Sequence, residues 1–347
     1  MSNLDQFMGG EGGERTYELI EFFPTSGTFT AKKTGVHRVC VLGGGGSGGA
    51  AVEAANARAT GGAGASFAWS EIFLTQGDTV PVTIGAGGAA VAQAATGAAA
   101  GNTGGNTTFG TYMTAYGGLG GVANQGVTTA LPATAASTIA TGGTLGNFTG
   151  GGAGGISHAT AGFWATGGGS AGCYRGNGYP SGSISGGTTA GATGGAGVGG
   201  KSGDVTTGAS VYTAGGGSHG ASSDNSLVVG LGVMSSGDFG ILSNHVTIDG
   251  LSTSTTQALW RISNNPLLAL TGSGGNTGFS GGGSSGTSGD SSRKGGTCGG
   301  SGGQAITIDG YYVAGAAGRG AGGGAFVGST GTATSGAGGD GFVTVEY

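Results

Sequence analysis

Few residues of this chain have the type and spacing to do chemistry. Lys201 and Ser202 close the string GAGVGGKS at residues 195–202, which has the spacing of a phosphate-binding loop. Such a loop works by following a strand and opening a helix, so that backbone N–H groups converge on phosphate. Here SGGTTAGAT precedes it and GDVTTGAS follows, and neither supplies that context. Glycine positions match freely in this composition, so the string reads as scaffold. His37, His158, His219 and His245 each stand without a second His, Cys or carboxylate at ligand spacing. GGSHG at residues 216–220 sets a serine beside a histidine but opens no helix, as a nucleophile elbow must. Cys40, Cys173 and Cys298 lie far apart in unrelated contexts, an odd set without CxxC spacing, and read as reduced, buried thiols. No catalytic residue, cofactor or metal is expected, and the chain reads as a non-enzyme.

Two groups of side chains could instead bind by surface complementarity. The string AGFWATGGGSAGCYRGNGYPSG carries Phe163, Trp164, Tyr174, Arg175 and Tyr179 between glycines. Aromatic and arginine side chains exposed on loops make recognition hot spots. The same side chains could fill small apolar pockets between glycine layers, and the sequence leaves both readings open. At the other end, Tyr17, Leu19, Ile20, Phe22 and Phe23 form an apolar burst. It lies beside Asp5, Glu11, Glu14, Arg15, Glu18 and Glu21. Residues 1–24 therefore read as an attachment segment for a partner surface.

The elements that must position these groups are built largely without side chains. Glycine supplies 92 of 347 residues, against a usual share of about 7%. Five prolines are too few for a collagen repeat, and 8% charged residues are too few for a charge-driven disordered chain. A net charge of −5 gives no basic footprint for nucleic acid. No apolar run approaches the roughly 18 residues that cross a bilayer. The N-terminus also lacks the basic and apolar regions of a signal peptide. The expectation is a protein made in a cytoplasm without membrane insertion or routine export.

Strand signals sit at both ends. Val36, Val39 and Val41 lead into a glycine run. Phe67, Trp69, Ile72 and Leu74, then Val80, Val82 and Ile84, flank a turn at residues 75–78. NTTFGTYMTAYGG follows at 106–118, and Phe342, Val343, Val345 and Tyr347 alternate at the far end. No window carries helical periodicity, so almost no α-helix is expected. Residues 225–272 are poorer in glycine and suggest a small inserted β region.

The glycine runs carry Ala, Val, Leu, Phe and Trp rather than solvating charges, which favours order over linkers. Glycine adopts the polyproline-II conformation with about three residues per turn. Without side chains, such helices can lie backbone against backbone and bond to one another at a net ~1 kcal/mol per hydrogen bond. The fold class expected is mostly β with extensive polyglycine-II-type packing, a glycine-rich layered sandwich.

Three segments in order carry a family resemblance: SGTFTAKKTGVHRVCVLGGGGSGG, GASFAWSEIFLTQGDTVPVTIGAGG and the closing GAGGDGFVTVEY. Together they resemble the glycine-rich domain of bacteriophage tail-fibre and tail-tip proteins. Some relatives in that group are polyglycine-sandwich adhesins whose loops bind host receptors. Lys32-Lys33-Thr34-Gly35 departs from the family's usual Pro-Ala-Gly opening. The resemblance implies a frame of residues 25–121 and 304–347 around a variable insert of about 125–300. It also implies a virion location, with receptor specificity in the variable insert; the 1–24 segment is then the part expected to join other virion proteins, and Phe163, Trp164, Tyr174, Arg175 and Tyr179 are the candidates to face a host receptor. Fibres of this kind occur as homotrimers or as a single capping copy. Two other functions fit the composition: a capsid-attached fibre or decoration protein without a receptor role, and a cellular glycine-rich module binding carbohydrate or ice.

Overall fold

A computed structural model describes residues 19–126, 128–174, 176–197, 201–206, 210–213, 298–306 and 311–347. Among them there is no helix, and the fold they make is mostly β. In chain order the strands are β1 (Ile20–Phe23), β2 (Gly27–Thr30), β3 (Gly35–Leu42), β4 (Ala50–Val52), β5 (Ala57–Ala59), β6 (Phe67–Leu74) and β7 (Thr79–Thr83). There follow β8 (Ala92–Gln93), β9 (Gly97–Ala99), β10 (Thr107–Phe109), β11 (Met113–Ala115), β12 (Ala123–Gln125), β13 (Gly146–Phe148) and β14 (Phe163–Ala165). The last are β15 (Ala190–Ala192), β16 (Ser210–Tyr212), β17 (Gln304–Ile306), β18 (Tyr311–Val313), β19 (Phe326–Gly328), β20 (Thr332–Thr334) and β21 (Phe342–Glu346).

The alternating segments make two antiparallel sheets. One runs β1-β21-β3-β6-β13 and the other β11-β10-β7-β2. The 75–78 turn carries the chain from β6 in one sheet to β7 in the other, with Asp78 N–H donating to the Thr75 carbonyl at 2.9 Å and Gly77 at φ 92°. Period-2 alternation puts Val39, Val41, Ile72, Val80, Val82 and Val345 into one core. Phe29 sits at its centre, with its ring 5.9 Å from those of Phe109 and Tyr347 and 5.6 Å from that of His37.

The remaining strands are two or three residues long. The sheet β12-β5-β14-β15-β16 is parallel from β5 onward, and β17-β19-β4 is parallel before β9 turns antiparallel. Parallel strands usually need a crossover of a dozen or more residues; between β14 and β15 that stretch is residues 166–189, which are rich in glycine. Ala57, Ala59, Ala165, Ala192, Ala305 and Ala325 fill the interface between these sheets. Small side chains let them approach closely, which is why a chain so poor in large apolar residues still has an interior.

Glycine segments bond sideways with a three-residue period. Residues 43–49 are buried throughout. Gly43, Gly46 and Gly49 donate to the carbonyls of Ser66, Ala63 and Thr60. Gly44 and Ser47 donate to Gly105 and Asn102, while Gly45 and Gly48 donate to Gly339 and Gly336. One segment thus serves three neighbours in rotation, each running antiparallel to it. The neighbours do the same: Thr60, Ala63 and Ser66 donate in turn to Val122, Leu119 and Tyr116. A Cβ at Gly46 would overlap the Leu119 carbonyl oxygen, so this approach requires glycine.

The N-terminal boundary differs from the sequence expectation. Ile20, Phe22 and Phe23 belong to β1, whose register pairs Ile20 with Glu346 and Phe23 with Val343. An apolar burst read as a free anchor is an edge strand, because β21 offers it an open ladder. Tyr17 and residues 225–272 lie outside the described residues.

Candidate recognition surface

Of the five residues expected to face a receptor, the structure brings only some to the surface. Trp164 is fully buried, and Phe163 is buried beside it. Their strand β14 lies between β5 and β15, where Trp164 is flanked by Arg58 and Gly191 and Phe163 by Ala57 and Ala190. The glycine and alanines leave room for the rings. Trp164 packs with Leu131, Ile156, Ile184 and Val205. Its Nε1–H donates to the Thr160 carbonyl at 3.2 Å, and its ring meets that of His158 edge-on at 4.3 Å. The receptor-facing expectation for Phe163 and Trp164 is therefore corrected: both are packing residues. Tyr174 is half-buried against the cluster around Leu42 and Phe342. Arg175 lies outside the described residues.

Tyr179 does reach solvent, with 43% of its surface exposed. Its backbone is fixed: its N–H donates to Ser170 Oγ at 2.8 Å, and its carbonyl accepts from Ser170 N–H at 3.1 Å. A rigid main chain carrying an exposed aromatic ring suits recognition, since ordering the loop costs nothing further on binding.

Sequence reasoning missed other exposed apolar side chains: Phe73 on β6, Leu119 in a glycine run, and three more on a turn and a loop. Tyr112 is exposed at the turn between β10 and β11, and Ile139 and Leu145 are exposed on the segment between β12 and β13. The loop is bonded on both sides. Thr114 and Thr141 exchange N–H to carbonyl bonds of 3.1 and 2.9 Å, and Leu145 N–H donates to Trp69 at 3.2 Å. Residues 139–145 thus run from β11 to β6, with Gly142 against the Tyr112 carbonyl. Tyr112 sits in a segment that reads as a strand, and nothing in the spacing of Ile139 and Leu145 separates them from core residues. Among the N-terminal residues, Leu19 is exposed and exchanges backbone bonds with Tyr347. Phe22 is half-buried under the Arg319 guanidinium, 5.4 Å from its ring, and Phe23 packs on Phe29.

Several of the charged and hydroxyl groups among the described residues are held by the scaffold; His219, His245 and the GGSHG string lie outside those residues. Arg58 is fully buried, with Nη1 donating to the carbonyls of Thr129 and His158 at 2.9 and 2.7 Å. Its Nη2 donates to Thr160 at 2.8 Å. The guanidinium ties two loops to β5. Ser202 Oγ donates to Gly194 at 2.5 Å and accepts from Gly182 N–H at 2.7 Å, so the phosphate-loop serine is a packing group. Lys201 pairs with Asp204 at 2.6 Å. Burial pushes the His37 and His158 pKa values down, with Lys33 and Arg58 respectively adding to the effect. No group of three His, Cys, Asp or Glu among the described residues could hold a metal ion.

No protein-family model and no curated protein matches the chain. The reading of its surface rests on its own geometry.

Proposed function

We propose that this chain is a virion structural protein, a phage tail-fibre or tail-tip subunit or adhesin that contributes to binding a host surface receptor. The observation that carries the reading is the three-residue rotation of hydrogen-bond partners along residues 43–49. Three residues per turn is the period of the polyproline-II conformation. In the reading proposed here, the glycine segments are polyglycine-II helices bonded into a layered sandwich. Such a lattice gives loops a stiff base, and loops on rigid scaffolds are where binding residues concentrate.

Recognition is assigned to Tyr112, Leu145 and Tyr179, exposed side chains on backbone that is already bonded, and to Ile139, two residues from the bonded Thr141. Attachment to other virion proteins is assigned to the residues that precede β1, which carry Asp5, Glu11, Glu14 and Glu18 and include the exposed Leu19. The resemblance of three ordered sequence segments to phage glycine-rich domains supports the same reading.

Competition for host cells tests it. Purified protein added before infection should occupy the receptor and reduce virion adsorption, and Tyr112→Ala with Tyr179→Ala should weaken that competition. Undiminished adsorption at saturating protein would leave a fibre or decoration role without receptor contact.

A further inference from the structure

The three cysteines, dispersed along the sequence, converge on one apolar cluster. Leu42, Phe67, Cys173, Cys298 and Phe342 are buried in it, and Cys40 packs at its margin. The segments bearing Cys173 and Cys298 run side by side. Ala171 N–H donates to the Cys298 carbonyl at 2.9 Å, and Gly168 N–H donates to Ser301 at 2.8 Å. Cys173 therefore follows, by two residues, the position bonded to Cys298. Cys40 instead lies on β3, opposite Thr344 of β21 and Trp69 of β6.

Backbone conformation adds a second observation. Cys298 has φ 63°, the left-handed region, and no other non-glycine among the described residues has positive φ. Glycine takes this conformation freely, whereas a side chain there is strained. In a chain with 92 glycines, a cysteine occupies a position suited to glycine. Strained residues concentrate where the side chain has a use.

We propose that Cys173 and Cys298 form a disulfide when the protein meets a small-molecule disulfide in an oxidising environment. The bond fastens the segment around Cys173 to the Cys298–Ser301 stretch bonded beside it. The step is thiol–disulfide exchange. The Cys173 thiolate attacks oxidised glutathione, forming a mixed disulfide and releasing one glutathione thiolate. The Cys298 thiolate then attacks the Cys173 sulfur and releases the second. Two protein thiols are oxidised and one glutathione disulfide is reduced to two thiols. Burial holds Cys298 above the usual thiol range and Cys40 up at about 12, so both stay protonated in the closed fold. Exchange is therefore slow and proceeds as the cluster opens. A disulfide spanning this separation stabilises chiefly by restricting the unfolded chain.

The test incubates the full chain with oxidised glutathione, quenches with acid, alkylates under denaturing conditions and maps peptides without reduction. The expected product is a peptide pair joined through Cys173 and Cys298, with Cys40 alkylated. The oxidised protein should also melt at higher temperature than the reduced protein. Cys298→Gly removes the thiol while suiting the positive φ, and should abolish both the linked peptide and the upward shift. Cys173→Ser serves equally if that variant does not fold. Full alkylation of Cys173 and Cys298 after treatment, a link through Cys40, or a shift that persists in Cys298→Gly would overturn the proposal.

Discussion

Leu42 and Phe342 stand opposite each other in the antiparallel pair of β3 and β21, although they lie near opposite ends of the chain. Both are buried in the same cluster, and β21 in turn holds β1. Closure of the fold therefore depends on its last residues. Phe342→Ala should lower stability by about 3–5 kcal/mol, as expected for truncating a buried phenylalanine. Urea unfolding measures it. A chain beginning at residue 25 should also be destabilised, because it lacks β1 and leaves the edge of β21 open. Unchanged stability in that truncation would show β1 to be an appendage.

Glycine at position 46 is required by contact rather than by turn geometry. Its Cβ would meet the Leu119 carbonyl, whereas a Cβ at Gly27 comes no closer than 3.8 Å to Phe23. Gly46→Val should cost at least the roughly 1–3 kcal/mol typical of overpacking. Gly27→Ala should be nearly neutral. Thermal melts of the two variants separate a packed glycine lattice from glycine as flexible linker, for which neither substitution would matter.

Burial of Trp164 separates stability from recognition. Trp164→Ala should cost about 3–5 kcal/mol in unfolding experiments, because it empties a site among Leu131, Ile156, Ile184 and Val205. Tyr112→Ala and Ile139→Ala should leave stability within about 0.5 kcal/mol, as exposed substitutions usually do. Their effect should appear in attachment to host cells.

How much of this was legible in the sequence depends on side-chain period. Strands β3, β6, β7 and β21 announce themselves because Val, Ile and Phe alternate there and glycine or a turn ends each run. Trp164 gave no such signal: its strand is three residues long, and its flanking glycines suit a loop as well as a layer. Arg58 stands in the short string ARA, where nothing marks a buried cation that binds three carbonyls. The convergence of Cys173 and Cys298 is a property of segments brought together only by the fold. Ile20–Phe23 was apolar enough to notice, but its partner strand lies at the other end of the chain.

His37 gives the fold a pH dependence with a definite sign. It is buried between Phe29 and Tyr347, with Nδ1 3.0 Å from the Gly35 carbonyl, Nε2 without a hydrogen bond, and Lys33 nearby. Burial lowers its pKa below the usual value of about 6.5. The unfolded chain therefore takes up the proton more readily than the folded one. Stability from this group is complete above about pH 6.5 and is lost as pH falls toward the lowered folded value. His37→Phe should flatten that part of the curve, read as the difference between wild-type and variant melts from neutral to mildly acidic pH. His158, lowered in the same direction, and Glu346, raised by burial, remain in both proteins and cancel in the difference.

The central claim is that this chain is part of a virion and faces the host. Peptide mass spectrometry of gradient-purified virions tests it most directly. The account predicts peptides of this chain at a fixed ratio to the tail proteins, resistant to salt washing. Their absence from virions, with the protein present in the lysate that produced them, would contradict it.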